Sequence, residues 1–288
     1  MFSILITTSN EPQTLKKLLN QIFSEKFKED FEVLVVAPDN KSKDIALSFP
    51  KVYFWQDKGK GKPAALNLVV PYIKGDILVL TDGDVLPAKG AIQQLVSALR
   101  DNTALGAISG QPVPTNSKDN LFGFFSHFLT FAAHKWRERN MSTGEYLDCS
   151  GYLYACRASL FPLLPLDILA DDSFVSQEIW KKGHKIGYLA EAKVFVKFPV
   201  NLSDWLKQKR RSTGGSQMKN QKSKIKKRNF KQEVFWGIKL FFSYPKNLKE
   251  FFWLILLYFL RFYLWLDIFW RIKIKNQANL WQRVESTK

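Results

Sequence analysis

Cysteine is almost missing from this chain: Cys149 and Cys156 are the only two in 288 residues. Two cannot form a disulfide framework, and their interval is not a metal-ligand spacing. They read as core thiols of a protein from a reducing compartment. Histidine is nearly as scarce, at three. His127 and His134 share one helical face, but two histidines make a weak metal case and are assigned structural roles. Neither the P-loop spacing Gly-x-x-x-x-Gly-Lys-Ser/Thr nor the dinucleotide fingerprint Gly-x-Gly-x-x-Gly occurs. There is no internal repeat. Met1-Phe-Ser-Ile-Leu-Ile lacks a basic n-region and runs straight into a strand pattern, so no signal peptide is expected.

Acidic residues are in short supply only beyond residue 200, where 20 Lys/Arg face 5 Asp/Glu; the first 200 residues carry 23 against 21. The net charge of +17 is therefore local. Residues 207–231 hold 11 Lys/Arg and no acid, a block that attracts nucleic acid or an anionic membrane. The segments beyond that block favour the membrane. Residues 234–242, 251–260 and 262–270 are rich in Phe, Trp, Tyr and Leu, interrupted by Arg261 and Asp267. A spanning helix wants ~20 apolar residues, and Arg261 near its middle costs ~2.5–3.5 kcal/mol on insertion scales. Abundant aromatics flanked by Lys/Arg instead favour a helix lying in the interface, with a spanning helix as the alternative. No nucleic acid partner is expected, and basic residues beside such helices mark the cytoplasmic side of a membrane. Composition divides the chain into a soluble domain at residues 1–215 and a basic linker with membrane-associating helices at 216–288.

What is present in the first part is strand–helix alternation. Strands are expected at residues 2–8, 31–37, 52–55, 77–80 and 105–109. Helices are expected to carry Leu15 to Phe23, Ala65 to Val70 and residues 91–99. Buried-looking strands that alternate with helices argue for an α/β fold built on a mostly parallel sheet with helices on both faces. In such a sheet the C-terminal strand ends share one edge, where ligands bind. Three ends carry notable polar residues: Thr7 to Glu11, Asp39, and the pair Asp82 and Asp84. Two carboxylates one residue apart at that edge suit a hard divalent cation that takes its remaining ligands from phosphates. The loop Gly59-Lys-Gly-Lys-Pro63 at a helix start can hold phosphate through backbone N–H groups and lysine charge, or its lysines can simply be solvated. An aromatic helix is expected over residues 118–139, and then a strand-like segment at 148–157. Asp171 and Asp172 open a further helix. A cap accounts for one of them and less readily for the adjacent pair. Residues 185–190 and 193–198 read as a strand pair closing the domain.

In this order the motifs resemble those of a family 2 glycosyltransferase of the GT-A fold. The resemblance covers about residues 2–215 and rests on Ser3-Ile-Leu-Ile-Thr-Thr-Ser-Asn-Glu11, Gly61-Lys-Pro-Ala-Ala-Leu-Asn67, Thr81-Asp-Gly-Asp84, Asp171-Asp172 and Gln208-Lys-Arg-Arg211. It implies donor nucleotide contacts at Thr7, Glu11, Asp39, Lys62 and Asp82, and a Mg²⁺ or Mn²⁺ ion at Asp84 with Asp82. It implies a catalytic base at Asp172, beside Asp171 in place of the usual Glu, and diphosphate or acceptor contacts at Gln208, Arg210 and Arg211. Ala37-Pro38 replace the acids more usual before Asp39, and Ser212 stands where Trp is common. The second departure fits transfer of a single sugar better than processive synthesis.

The function so implied is inverting transfer of one sugar from a nucleotide-sugar donor to a lipid-linked or glycan acceptor, at the cytoplasmic face of the cell membrane. Two rivals share parts of the pattern. A sugar-phosphate nucleotidyltransferase has the α/β plan and the acidic metal site, but its glycine-rich N-terminal signature is missing. A non-catalytic basic module binding membrane or nucleic acid would need only the C-terminal charge.

Overall fold

The computed structural model describes residues 1–217, 237–238, 240–271, 284 and 286–287. The chain divides into two compact units, one of Met1–Val113 with Arg137–Val196 and one of Pro114–Trp136 with Lys197–Lys288.

The first unit is built on a sheet of eight strands in the order β3-β2-β1-β4-β7-β6-β8-β5. β1 (Phe2–Thr7), β2 (Phe31–Ala37), β3 (Val52–Gln56) and β4 (Ile77–Asp82) run parallel. β1, β2 and β4 are nearly continuous buried runs, as expected of strands covered on both faces, whereas β3 at the sheet edge leaves Tyr53 and Gln56 exposed. The crossovers are α1 (Pro12–Ser24), α2 (Asn40–Leu47) and α3 (Lys62–Val69). α1 turns Leu15, Leu18, Leu19 and Ile22 inward, the three-and-four spacing of one helix face. α4 (Ala91–Asp101) does the same with Ile92, Leu95, Val96 and Leu99.

The sheet is mixed beyond β4. β7 (Leu153–Arg157) runs antiparallel to both β4 and β6 (Leu105–Pro114), and β5 (Leu86–Pro87) runs antiparallel to β8 (Lys185–Val196). The parallel arrangement expected from the alternation thus describes the N-terminal half. One core cluster joins Leu5, Leu34, Leu78 and Leu80 of the sheet to Leu66 and Val69 of α3 and to Val175 and Ile179 of α6 (Asp171–Lys181).

Two local expectations change. The strand pair expected over residues 185–198 is one strand, β8, through Val196. Residues 190–193 read Ala-Glu-Ala-Lys and include no turn former, while Ala192, Val194 and Val196 keep the alternation of buried positions. The second change is α2, which periodicity does not reveal: its eight residues bury only Ser42 and Ala46 and so carry almost no helical stripe.

In the second unit, α5 (Leu121–Thr143) supplies Phe124, Phe125 and Phe128 to a cluster with Trp205 of α7 (Leu202–Gln217) and Leu254 and Leu257 of α8 (Leu248–Phe269). The composition boundary at residue 215 falls inside α7, and the second compact unit takes in residues 114–136 together with 197–288. α8 is long and apolar enough to cross a membrane. Its Leu254, Leu257, Leu264 and Ile268 are buried in the unit, whereas Leu248, Phe252, Leu256, Phe259, Tyr263 and Leu266 are exposed at intervals of three and four residues. Its interrupting charges are paired: Arg261 donates to Thr213 Oγ1, and Asp267 accepts from Arg210 and Arg271. The basic stretch at 218–231 and the aromatic residues 234–236 lie outside the described residues.

Candidate active site

The parallel strands place Thr7 and Asp82 side by side at their C-terminal ends, since β1 and β4 pair Thr7 with Asp82 in register. Thr7 Oγ1 donates to Asp82 Oδ1 at 3.1 Å, and the Gly83 N–H donates to the Thr7 carbonyl. A side chain at Gly83 would collide with Thr8, its Cβ lying 2.5 Å from the Thr8 Cβ. Glycine between the two acids is thus a steric requirement of the strand end. Asp84 comes next, half-buried. Glu11, the residue before α1, accepts from Thr8 Oγ1 at 3.4 Å.

Asp39, two residues past the end of β2, is the N-cap of α2. Its carboxylate accepts from Ser42 N at 2.9 Å and Ser42 Oγ at 3.0 Å, and from Asn10 N at 2.8 Å. Partial burial pushes its proton affinity up, but the N–H groups of Asn10 and Ser42 outweigh it and hold the carboxyl below its ordinary range. Asp39 therefore ties the loop after β1 to α2.

Lys62, at the start of α3, reaches back over this edge. Its Nζ lies 2.7 Å from Asp82 Oδ1 and 3.4 Å from Asp171 Oδ2. Burial disfavours the ammonium, yet Asp171, Asp82 and Asp172 together raise its affinity for the proton above the ordinary lysine value, so it stays charged. Gly61-Lys62 thus carries its lysine into a cluster of acids instead of leaving it solvated.

Asp171 and Asp172 occupy the first turn of α6, but the N-cap position belongs to Ala170 and has no side-chain cap bond. Capping explains neither acid. Asp171 Oδ2 is buried without a hydrogen bond, its charge answered by the Lys62 ammonium. Asp172 Oδ2 accepts from Gly151 N at 2.7 Å and Oδ1 from Ser173 N at 2.9 Å. Burial and the neighbouring Asp171 push the Asp172 carboxyl up to about 6, with Lys62 opposing them. A carboxylate that holds its proton to that pH is matched to proton transfer near neutrality. The approach of Gly151 is close: a Cβ there would sit 3.1 Å from Asp172 Oδ2.

Hard donors for a divalent cation stand at this strand end. Asp82 and Asp84 offer hard carboxylate oxygens, and the bonds to Lys62 and Thr7 both fall on Asp82 Oδ1. Among the described residues no group of three or more His, Cys, Asp and Glu is placed to cage an ion. The residues fit an ion held by one or two carboxylates that completes its shell from water and substrate phosphates.

The family model for Glycosyl transferase family 2 matches residues 3–159, more than half of the chain. The chain belongs to glycosyl transferase family 2. This family 2 chain is 25% identical over 235 residues to a probable glycosyltransferase, YdaM, of Bacillus subtilis, covering 75% of the chain and 55% of YdaM. It is 22% identical over 230 residues to an N-acetylglucosaminyltransferase of Bradyrhizobium diazoefficiens, covering 72% and 47%. The chain thus spans about half the length of these curated relatives. Its fold is the GT-A fold. It is similar to the mannosyltransferase PcManGT of Pyrobaculum calidifontis, solved with GDP-Man and Mn²⁺, with a TM-score of 0.57 at 20% identity, covering 96% of this chain and 73% of that one. It is also similar to S. aureus TarS 1–349 with UDP-GlcNAc, at 0.52 and 14%, covering 86% and 77%.

The remaining motif of this family 2 chain lies on α7, in the second unit. Gln208 is buried, Arg210 Nε donates to Asp267 Oδ2 at 2.6 Å, and Arg211 is half-buried. The sequence motifs do not include the partners of Asp172. Ser173 follows the acidic pair directly on α6, whereas Gly151 and, behind it, Tyr146 and Asp148 come from a segment whose only sequence signal is a lone acid before Cys-Ser-Gly.

Proposed function

We propose that this chain is a metal-dependent inverting glycosyltransferase that moves one sugar from a nucleotide-sugar donor to a lipid-linked or glycan acceptor at the cytoplasmic face of the membrane. The observation that carries the reading is the Asp172 carboxylate, held by the Gly151 and Ser173 N–H groups beside the Lys62 ammonium that joins Asp171 to Asp82. Family membership supplies the reaction class. The complexes of structural neighbours with GDP-Man and UDP-GlcNAc supply the donor class.

In this reading Thr7, Glu11, Asp39 and Lys62 shape the donor nucleotide site at the edge made by β1, β2 and α3. Asp84, with Asp82, would hold Mg²⁺ or Mn²⁺. When bound, that ion offsets the negative charge of the leaving diphosphate. Asp172 takes the proton of the acceptor hydroxyl as its oxygen bonds to the anomeric carbon. The bond from that carbon to the diphosphate breaks, and the nucleoside diphosphate departs with the electron pair. Displacement by a nucleophile from the opposite face inverts the anomeric centre. Lys62 keeps the paired acids from repelling one another and lets Asp172 ionise. The family resemblance assigns Gln208, Arg210 and Arg211 to the diphosphate and acceptor side, and Ser212 in the position of Trp favours a single transfer.

The membrane reading rests on α8 and the charge around it. One face of α8 and its charged residues are engaged within the second unit. The opposite face is an exposed stripe of large apolar side chains, with Phe252 and Phe259 at 65% and 69% exposure. An apolar stripe beside an excess of lysine and arginine fits attachment in the plane of an anionic surface.

The test is a thermal-shift screen of nucleoside diphosphates and nucleotide sugars with and without Mn²⁺, on the full chain and on Asp84→Ala. A ligand at 100 times its Kd raises stability by about 2.7 kcal/mol. One base is expected to stabilise the chain, in a manner that needs Mn²⁺ and Asp84. If no nucleotide or nucleotide sugar stabilises it, with or without the ion, the proposal fails.

A further inference from the structure

We propose that Asp148, which lies outside the motifs that carry the resemblance, is a positioning residue for Asp172: it clamps the first turn of α6 and sets a second negative charge on the flank of the base. The inference rests on the base reading of Asp172 for its consequence in transfer, though not for its physical content.

The geometry begins at Tyr146. Its hydroxyl donates to Asp148 Oδ1, and Ser173 Oγ donates to the same oxygen at 2.9 Å. Ser173 is the neighbour of Asp172, and its own N–H already holds Asp172 Oδ1. Gln177 Nε2 donates to Ser173 Oγ at 2.9 Å and to the Ser173 carbonyl at 3.0 Å, which fixes the rotamer of that hydroxyl.

The same segment is fastened at further points. Cys149 N donates to Ser176 Oγ at 3.0 Å, and Ser176 Oγ donates to the Asp172 carbonyl at 2.7 Å. Ser150 N donates to Ser109 Oγ of β6 at 2.8 Å, and Gly151 N donates to Asp172 Oδ2. Arg137 Nε donates to the Asp148 carbonyl. Tyr146, Asp148, Cys149 and Gly151 are therefore tied to α6, and Asp148 is the one residue of the 146–151 segment with a charged side chain.

A hydrogen-bonding polar residue would suffice to anchor α6. A carboxylate does more. Asp172 is faced by Asp171 on its own helix, by Lys62 from α3, by Tyr154 from β7, and by Tyr146, Asp148 and Cys149 from the segment ahead of β7. Among these, Asp171 and Asp148 disfavour the ionised form of Asp172 and Lys62 favours it. Lys62 also serves Asp82 and Asp171, so its charge is shared. Asp148, joined to Asp172 through Ser173, adds negative potential that opposes Lys62. The base is thereby kept proton-avid while its two oxygens stay oriented by backbone N–H groups.

The test is a carboxyl NMR titration of the metal-free full chain labelled with ¹³Cγ-aspartate, in which Asp172→Asn identifies the Asp172 resonance. Asp148→Asn keeps the acceptor for both hydroxyls and removes only the charge. The Asp172 midpoint is expected to move down by roughly 0.5 to 1 pH unit, as for the loss of a nearby like charge. The double variant Tyr146→Phe with Asp148→Ala removes donor and acceptor together and is expected to shift it the same way. A midpoint unmoved in the folded variants overturns the proposal. The readout is independent of catalysis. If Asp172→Asn retained full transfer, the base reading would fall while a shifted midpoint would still establish the coupling. If transfer were abolished but the midpoint did not move, the coupling alone would fall.

Discussion

Consider Asp172→Asn measured for stability as well as for transfer. In the native chain the Asp172 carboxyl lies at about 6, against an ordinary value of 3.8. The native state therefore binds this proton more tightly than the unfolded chain does. Its contribution to stability is fully present below pH ~4 and is lost as pH rises through about 6. Two pK units correspond to a ceiling of ~3 kcal/mol at pH 8. Residual solvent contact of Asp172 reduces that figure. Asparagine also keeps only one acceptor for the two N–H groups of Gly151 and Ser173, a loss of about 1 kcal/mol. The variant is expected to gain ~1–2 kcal/mol over the wild type at pH 8, or roughly 2–8 °C in Tm. At pH 5, where the wild-type group is already neutral, little or no gain is expected. Transfer should fall by about 10²–10⁴, the usual worth of a general base. Urea and thermal unfolding at pH 5 and pH 8 measure the difference directly. A stability difference that does not grow with pH, or that favours the wild type more at pH 8, would refute the argument that Asp172 is ionised against its surroundings.

Two further perturbations address the segment leading to α6 and the exposed helix. Asn67 donates from Nδ2 to the Leu164 carbonyl at 2.7 Å and accepts the Leu164 N–H at 2.9 Å, pinning the segment that leads to Asp171. Asn67→Ala leaves both backbone groups without their partner, and a loss of about 2–4 kcal/mol is expected by urea denaturation; a loss under about half a kcal/mol would show that the clamp contributes nothing. Phe252→Glu with Phe259→Glu places two charges on the exposed stripe of α8 without touching Leu254 or Leu257. Co-sedimentation with vesicles containing anionic lipid should drop at least tenfold, on the order of 1.4 kcal/mol or more of buried apolar area, with the circular dichroism spectrum unchanged. Undiminished sedimentation would remove α8 from the membrane contact.

Much of the N-terminal half is legible in the sequence because its signals are local. The apolar runs of β1, β2 and β4 read as buried strands, and the residues just after them necessarily fall at one edge once the strands are parallel. That places Thr7, Asp39 and Asp82 together in advance. α2 escapes because a helix that buries two small side chains shows no periodicity, although its cap, Asp39, stands out for other reasons. β8 reads as two strands because Ala190 to Lys193 are weakly apolar, and only the continuing pairing with the sheet shows that no turn intervenes. The extent of the second unit is illegible from composition, which tracks charge along the chain. Trp205 is buried by phenylalanines some eighty residues upstream of it.

The order of acids and the lysine at the start of α3 were determined by the sequence alone, since residue type and spacing along a strand or helix need no partner to be read. So was the family, which is a property of that order. Only the tertiary structure decided what each charge is for. It showed Lys62 between Asp82 and Asp171, although twenty and more than a hundred residues separate them along the chain. It assigned Asp39 to hold Asn10 and cap α2. It held Asp172 by the Gly151 and Ser173 N–H groups and bound Ser173 in turn to Asp148. Proton affinity depends on burial and on charges within a few ångströms, and those distances exist only after the chain has closed on itself.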